Sequence, residues 1–156
     1  MIWSGCSCFL GAALLTGCSG PASEMNVVEA VFRHQMATNA SALQARVLCL
    51  KLETMQGSTD PPAELLQRFG GHTAPVRPLS QCHIGNGDEG SQVYDNATGQ
   101  TGIILSVSAV NCTLFGRCTV KGGYYQANLG ASGNIYTLHK RGGRWQVAQE
   151  RTLWIS

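Results

Sequence analysis

The groups with which this chain of 156 residues could do chemistry are four histidines, nine acidic residues and seven cysteines. The histidines are His34, His72, His83 and His139, and the acids in or near the body include Asp88, Glu89, Asp95 and Glu150. A histidine paired with a carboxylate in a closed pocket can move protons. None of these residues stands in a motif, however, and no two histidines have the spacing that puts both on one metal. Cys82 and His83 are adjacent. Neighbours along a strand point to opposite faces, so the histidine cannot serve that thiol as a base. Ser106, Ser108 and Ser132 lack the context of a nucleophile elbow. Gly85-Asn-Gly87 and Gly130-Ala-Ser-Gly133 precede no helix pattern, so neither is a phosphate loop. The sequence therefore singles out no catalytic residue, no metal ligand and no cofactor site.

The cysteines carry more. The apolar stretch within residues 1–18 is shorter than the roughly 20 residues of a membrane-spanning helix and leads through small residues to a cysteine. Leu15-Thr16-Gly17-Cys18 resembles the bacterial lipobox. That resemblance implies a signal peptide over 1–17, a lipidated Cys18 and a short tether over 18–23. It also implies a single domain over 24–156 and a bilayer as the first partner. Ser19 follows the cysteine where Asp would retain the protein at the inner membrane, so the expected address is the periplasmic face of the outer membrane. Residues 2–17 contain no Lys or Arg, a departure from such signals, and an ordinary secretory signal is the alternative. Acyl chains stabilise membrane attachment by roughly 0.8 kcal/mol per buried methylene, so several chains anchor stably.

Removing Cys6 and Cys8 with the signal and committing Cys18 to lipid leaves Cys49, Cys82, Cys112 and Cys118. An even number of cysteines in an exported domain reads as a disulfide framework. Cys112 and Cys118 bracket a short loop between two strand patterns, which favours a 112–118 bridge. A 49–82 bridge then follows, each partner lying within a strand pattern. Buried free thiols are the alternative.

Composition bounds the class. Apolar residues make up 44%, charged residues 13%, and there are 19 glycines, which suits one β-rich domain with many turns. A net charge of +2 is too small for a nucleic-acid partner. The one basic cluster, Lys140-Arg141-Gly-Gly-Arg144, reads as a solvated hairpin tip, or more sharply as a contact for anionic lipid.

Elements must then be found to position these residues. Val27, Val28, Val31, Phe32 and Met36 recur at one-turn spacing and predict a helix from Glu24, capped by Ser23 and ended near Asn39 or Ser41. His34 falls off that stripe. Arg46–Leu52 predicts a strand. Asp60-Pro61-Pro62 opens a second helix with Leu65, Leu66 and Phe69 on its buried side, ended by Gly70-Gly71. Residues 79–84 predict a strand, and 85–102 a long polar loop with at most a short strand at 92–94, a candidate lid or binding loop. Asp95 to Gly99 has the residues of an Asx turn. Strands follow at 102–110, 119–128, 134–139 and 144–155. Leu129–Gly133 is expected to be a loop, and Gly142-Gly143 a primed two-residue turn. Gly122-Gly123 points to a bulge or bend. Gln149 and Arg151 interrupt the apolar parity of Trp145, Val147, Leu153 and Ile155, which implies a polar pocket or a bulge near Glu150.

Early helices before antiparallel strands, ending in Gly143-Arg-Trp-Gln-Val147 and Trp154-Ile-Ser156, resemble the cystatin-like roll and its nuclear transport factor 2-like superfamily. Gly122-Gly-Tyr-Tyr125 and Ala131-Ser-Gly-Asn134 are also similar to segments of small bacterial lipoproteins of uncharacterised function. The resemblance implies an α+β fold: a bent antiparallel sheet of four to six strands with one or two N-terminal helices on one face. It names no activity. Tyr125, Gln126, Asn128, Trp145, Gln149 and Arg151 are the candidate lining of a pocket on that sheet. The leading expectation is an anchored, non-enzymatic module that binds another envelope protein, a peptide or a small ligand through the open face of its sheet. The alternative is a small cofactor-free enzyme of the isomerase, dehydratase or hydrolase kind with its site in the cone of the sheet.

Overall fold

The computed structural model describes residues 21–87 and 90–156. The signal peptide over 1–17, the lipidated Cys18, the tether as far as residue 20, and the acids Asp88 and Glu89 lie outside the described residues.

The first helix, α1 (Pro21–Thr38), starts before the expected cap, so Ser23 lies inside it. Its stripe is buried as the spacing predicts: Val27, Val28, Val31, Phe32 and Met36 all lie in the main core. Asn39 ends the helix and caps the short α2 (Ala40–Gln44), its side-chain oxygen accepting from the Ala42 amide at 2.9 Å. The third helix, α3 (Ala63–Gln67), is capped by Pro62 and not by Asp60. Asp60 instead accepts from the Ser80 amide and hydroxyl.

The strands are β1 (Val47–Thr54), β2 (Gly57–Thr59), β3 (Val76–Pro78), β4 (Cys82–Gly87), β5 (Gly90–Asp95), β6 (Thr101–Cys112), β7 (Arg117–Ala127), β8 (Gly130–Arg141) and β9 (Arg144–Ile155). They form one nine-stranded sheet in the order β2-β1-β6-β5-β7-β8-β9, with β3 beside β1, β4 beside β5, and β6 also paired to β7. This corrects the expected α+β roll. The sheet has nine strands, not four to six, and it is mixed, because β1 runs parallel to both β3 and β6.

Most of the added strands come from polar sequence. The expected loop over 85–102 holds most of the β4–β5 hairpin, in which only Val93 and Asp95 are buried, so hydrophobic alternation is too weak to mark it. The strand expected at 79–84 is a 3-10 turn over Leu79–Gln81 leading into β4. The loop expected at Leu129–Gly133 is mostly strand, since β8 starts at Gly130. Two local readings hold. Asp95 accepts from the Thr98 amide and hydroxyl at 3.1 and 2.6 Å, closing the Asx turn. Gly142 and Gly143 have φ of 54° and 78°, as a primed two-residue turn requires.

α1 lies across one face of the sheet. Beneath it, Leu48 and Leu50 of β1, Ile103, Leu105 and Val107 of β6, Val120 of β7, and Tyr136 and Leu138 of β8 close the main core. Arg68 fastens α3 to α1 through Glu29 at 2.8 Å, while Arg33 sits over the Phe69 ring, 4.9 Å from its centroid. On the opposite face Val47, Cys49, Val93 and Ile104 make a second, smaller core with Leu79, Cys82 and Tyr125. The segment from the 3-10 turn to β5 thus covers the β1–β6 part of that outer face. Across β7 to β9 the outer face has no such lid among the described residues.

Candidate functional site

The sequence closes its two disulfides as expected. Cys49–Cys82 ties β1 to the start of β4, and Cys112–Cys118 joins the paired ends of β6 and β7. Cys82, the cysteine next to a histidine, is therefore not a free thiol.

The sheet packs closely at its glycines; Gly122 and Gly123 stay in register with both neighbours, and the bulge expected there falls instead between Val107 and Val110 of β6. A Cβ on Gly123 would collide with the Ser132 carbonyl oxygen, and one on Gly133 would run into the Trp154 indole. Gly123 and Gly133 face each other across β7 and β8, and Gly133 in turn faces Trp154 of β9. A tryptophan laid over bare backbone covers peptide groups that no side chain of their own protects. The result is a groove of about 430 Å³ on the outer face, floored by these glycines and Ser106. Its apolar walls are Ile84 and Tyr125 on one side and Leu153 and Trp154 on the other. Ile84, Leu153 and Trp154 are 54%, 44% and 54% exposed, a large apolar share for positions grouped on one face. Lys51 and Lys121 stand at the rim. Lys51 is paired with Glu53 at 2.8 Å, whereas Lys121 makes no ion pair among the described residues.

Of the residues expected to line one pocket, only Tyr125 borders this groove. Gln126 is the extra residue where the β7–β8 register shifts, and Asn128 lies in the turn that follows, exposed, near Gly90. Trp145 is half-buried on the inner face, bordering a separate depression of about 620 Å³ with Glu29, Arg33 and Arg144. Gln149 and Arg151 are exposed and face Thr137 and Ile135. The structure does not bring the six together. Register explains the scatter: β9 shifts against β8 on either side of Glu150, leaving Ala148 and Leu153 as extra residues. Each extra residue flips the parity beyond it. Gln149, Arg151 and Trp154 consequently share the outer face, while Glu150 and Thr152 turn inward opposite Tyr136 and Asn134.

That inward turn assembles a polar cluster the sequence reading did not see. Gln35 occupies the apolar stripe of α1 and is 3% exposed. Its Nε2 donates to the carbonyl oxygens of Ser106 and Gly123 at 3.2 Å each and approaches the Tyr136 hydroxyl at 3.2 Å. Gly122 makes this possible: a side chain there would crowd Gln35 and the Tyr136 ring. Asn134 Nδ2 donates to Ser132 Oγ and the Tyr136 hydroxyl, again at 3.2 Å. His34 Nε2 meets the Glu150 carboxylate at 2.8 Å, and its ring stands edge-on to Tyr136 with centroids 5.7 Å apart. Burial pushes the Tyr136 hydroxyl above its ordinary range, and the neighbouring Glu150 carboxylate adds to that effect against the donation from Gln35 and Asn134. For Gln35 the available signal was a polar residue inside an apolar helical stripe. For Glu150 the signal was the polar break at Gln149 and Arg151, which implied the bulge near it; the register shifts on either side of Glu150 are that irregularity, and they alone fix its inward direction.

The other histidines lie apart. His83 stacks on Tyr94 and meets Asn96 at 2.6 Å, and His72 meets the Ala74 carbonyl at 3.1 Å. Among the described residues no three His, Cys, Asp or Glu side chains are grouped to hold a metal ion, and no helix is long and apolar enough to cross a membrane. Set against known proteins, the chain matches no family model, no curated protein and no solved structure.

Proposed function

We propose that the chain is a lipid-anchored module of the bacterial envelope that binds an extended, apolar and acidic segment of another envelope protein on the outer face of its sheet. One observation carries the reading: the glycine-floored groove between Ile84 and Tyr125 on one side and Leu153 and Trp154 on the other, left uncovered beside the β1–β6 part of the outer face that the second core covers. Half-exposed aromatic and aliphatic walls supply apolar contact, and the Lys121 ammonium at the rim favours a carboxylate on the incoming segment. The disulfides are consistent with an oxidising compartment. The lipobox-like Leu15–Cys18 supports the anchor.

Photocrosslinking in intact cells tests the binding face. A crosslinker at position 153 should give one discrete protein adduct, which Lys121→Glu weakens severalfold, while the same crosslinker at exposed Leu43 gives none. Lipid-only adducts at 153, or adducts indifferent to Lys121, would refute the assignment. For the anchor, Cys18→Ala should release the protein from membranes and abolish acyl labelling; unchanged retention counts against it.

The second reading, a cofactor-free enzyme in the cone of the sheet, has the His34–Glu150 contact beside the Tyr136 hydroxyl in its favour. It is the weaker one, because the His34 and Glu150 side chains are 25% and 35% exposed, whereas a closed, water-excluding pocket is what strengthens such a pair.

A further inference from the structure

The polar cluster beneath α1 carries an inference independent of the groove, which lies on the other face. At the end of the helix the surface sinks into a depression of about 290 Å³, bordered by Thr38 and Asn39 from the helix end and by Tyr124, Asn134, Tyr136 and Glu150 from the sheet. The orientation of the Gln35 amide there is fixed by chemistry. Its two closest backbone partners, the carbonyl oxygens of Ser106 and Gly123, can only accept, so the atom facing them must be the NH₂ group. The Gln35 Oε1 atom is then left over, buried and with no hydrogen-bond partner. Asn134 Oδ1 has no partner either as its amide stands, with Nδ2 turned to the Ser132 and Tyr136 hydroxyls, groups that can donate as well as accept. The two residues are 3% and 5% exposed, and both border the depression. A buried acceptor without a donor costs stability, and native structures supply the donor from water or a ligand.

The surroundings select the kind of donor. Glu150 is the one charged side chain bordering the depression, and no cation borders it. Two tyrosine rings, Tyr124 and Tyr136, form part of its wall, and aromatic faces attract cations. Acceptors, a carboxylate and aromatic faces all favour positive charge with several N–H donors.

We propose that this depression binds a small organic ammonium ion, with Gln35 Oε1 and Asn134 Oδ1 as acceptors and Glu150 as the counter-charge. A primary ammonium has three donors on one centre, enough to serve both orphaned oxygens and the carboxylate. The volume, about 290 Å³, admits a ligand of roughly ten heavy atoms at the ~30 Å³ a liquid water occupies, or the inserted part of a larger one. His34 acts as a positioning residue: its bond to Glu150 holds the carboxylate against the depression.

The test is a titration of nitrogen-labelled protein with ethylammonium chloride, reading the side-chain amide resonances of Gln35 and Asn134, with ethanol, sodium acetate and sodium chloride as parallel probes. Ethylammonium alone should give saturable shifts at both amides. Glu150→Gln, a conservative change on an exposed strand position whose fold the same spectrum verifies, should weaken that binding by roughly tenfold or more, the loss of a charge-assisted hydrogen bond. Three results would each overturn the proposal: no saturable shift, an equal response to ethanol (a site that holds only water or neutral donors), or unchanged affinity in Glu150→Gln.

Discussion

The two disulfides close loops of very different length, and the difference sets a quantitative test. Cys49 and Cys82 are separated by 33 residues, Cys112 and Cys118 by 6. In the chain-entropy description a bridge removes loop-closure freedom from the unfolded chain as the logarithm of loop length, giving about 3.7 kcal/mol for the longer loop and about 2.2 kcal/mol for the shorter at room temperature. Cys49 is fully buried in the second core, and its truncation to Ala leaves a void there. Cys112 is exposed at a strand end, but its partner Cys118 is fully buried in the main core, so removing that pair leaves a comparable void and the two losses offset. Removing the 49–82 pair as a double Ala variant should therefore destabilise by about 1.5 kcal/mol more than removing the 112–118 pair. Urea unfolding of both variants reads this directly, provided the slopes with denaturant agree, since a changed slope would mean a changed unfolded or native state. Equal losses, or a larger loss from the 112–118 pair, would refute the reasoning: local strain or residual unfolded structure would then outweigh loop entropy.

Three further outcomes are expected. Gly123→Ala places a methyl group against the Ser132 carbonyl oxygen, backbone that cannot step aside, and should cost on the order of 1–3 kcal/mol by urea unfolding, with Gly143→Ala as a turn comparison. Tyr136→Phe removes the hydroxyl shared by Gln35 and Asn134 and leaves a buried amide short of an acceptor, costing about 1–3 kcal/mol; in the wild-type protein, tyrosinate absorbance should show one of the four tyrosines ionising late on alkaline titration, because burial raises Tyr136. At acid pH, burial acts to raise Glu29 but the hydrogen bonds from Arg68 and Arg33 outweigh it and hold its carboxyl below 4.5, while Thr98 holds Asp95 below 3.8. Both carboxylates bind protons more weakly folded than unfolded, so their contribution is full above the ordinary carboxylate range and is lost as pH falls through the lowered native values. The urea midpoint should be flat from neutrality to about pH 5 and drop below it; Glu29→Gln should flatten that drop, and an unchanged acid limb would contradict the assignment.

What the sequence determined by itself is local. The stripe from Val27 to Met36 requires a helix lying on something apolar, alternation at Ile103, Leu105 and Val107 requires a strand with an apolar inner face (though residues 102–105 prove buried on both faces), Asp95 closes its own turn through Thr98, and Gly142-Gly143 permits a turn with φ above zero at both positions. The cysteine pairs were legible for a similar reason, each cysteine lying in or beside a strand pattern. Partners and faces were decided by the tertiary structure. β4 and β5 are polar because each is largely satisfied by strand neighbours rather than by burial, so they leave no hydrophobic period to read. The parallel pairing of β1 with β6 joins residues separated by the whole segment between them, and no local pattern encodes it. Most consequential are the shifts at Ala148 and Leu153. A strand's faces alternate residue by residue, so two extra residues send Gln149, Arg151 and Trp154 outward and Glu150 inward, and only the pairing with β8 fixes where those residues fall. Both candidate sites, the groove under Trp154 and the depression beside Glu150, exist because of that register.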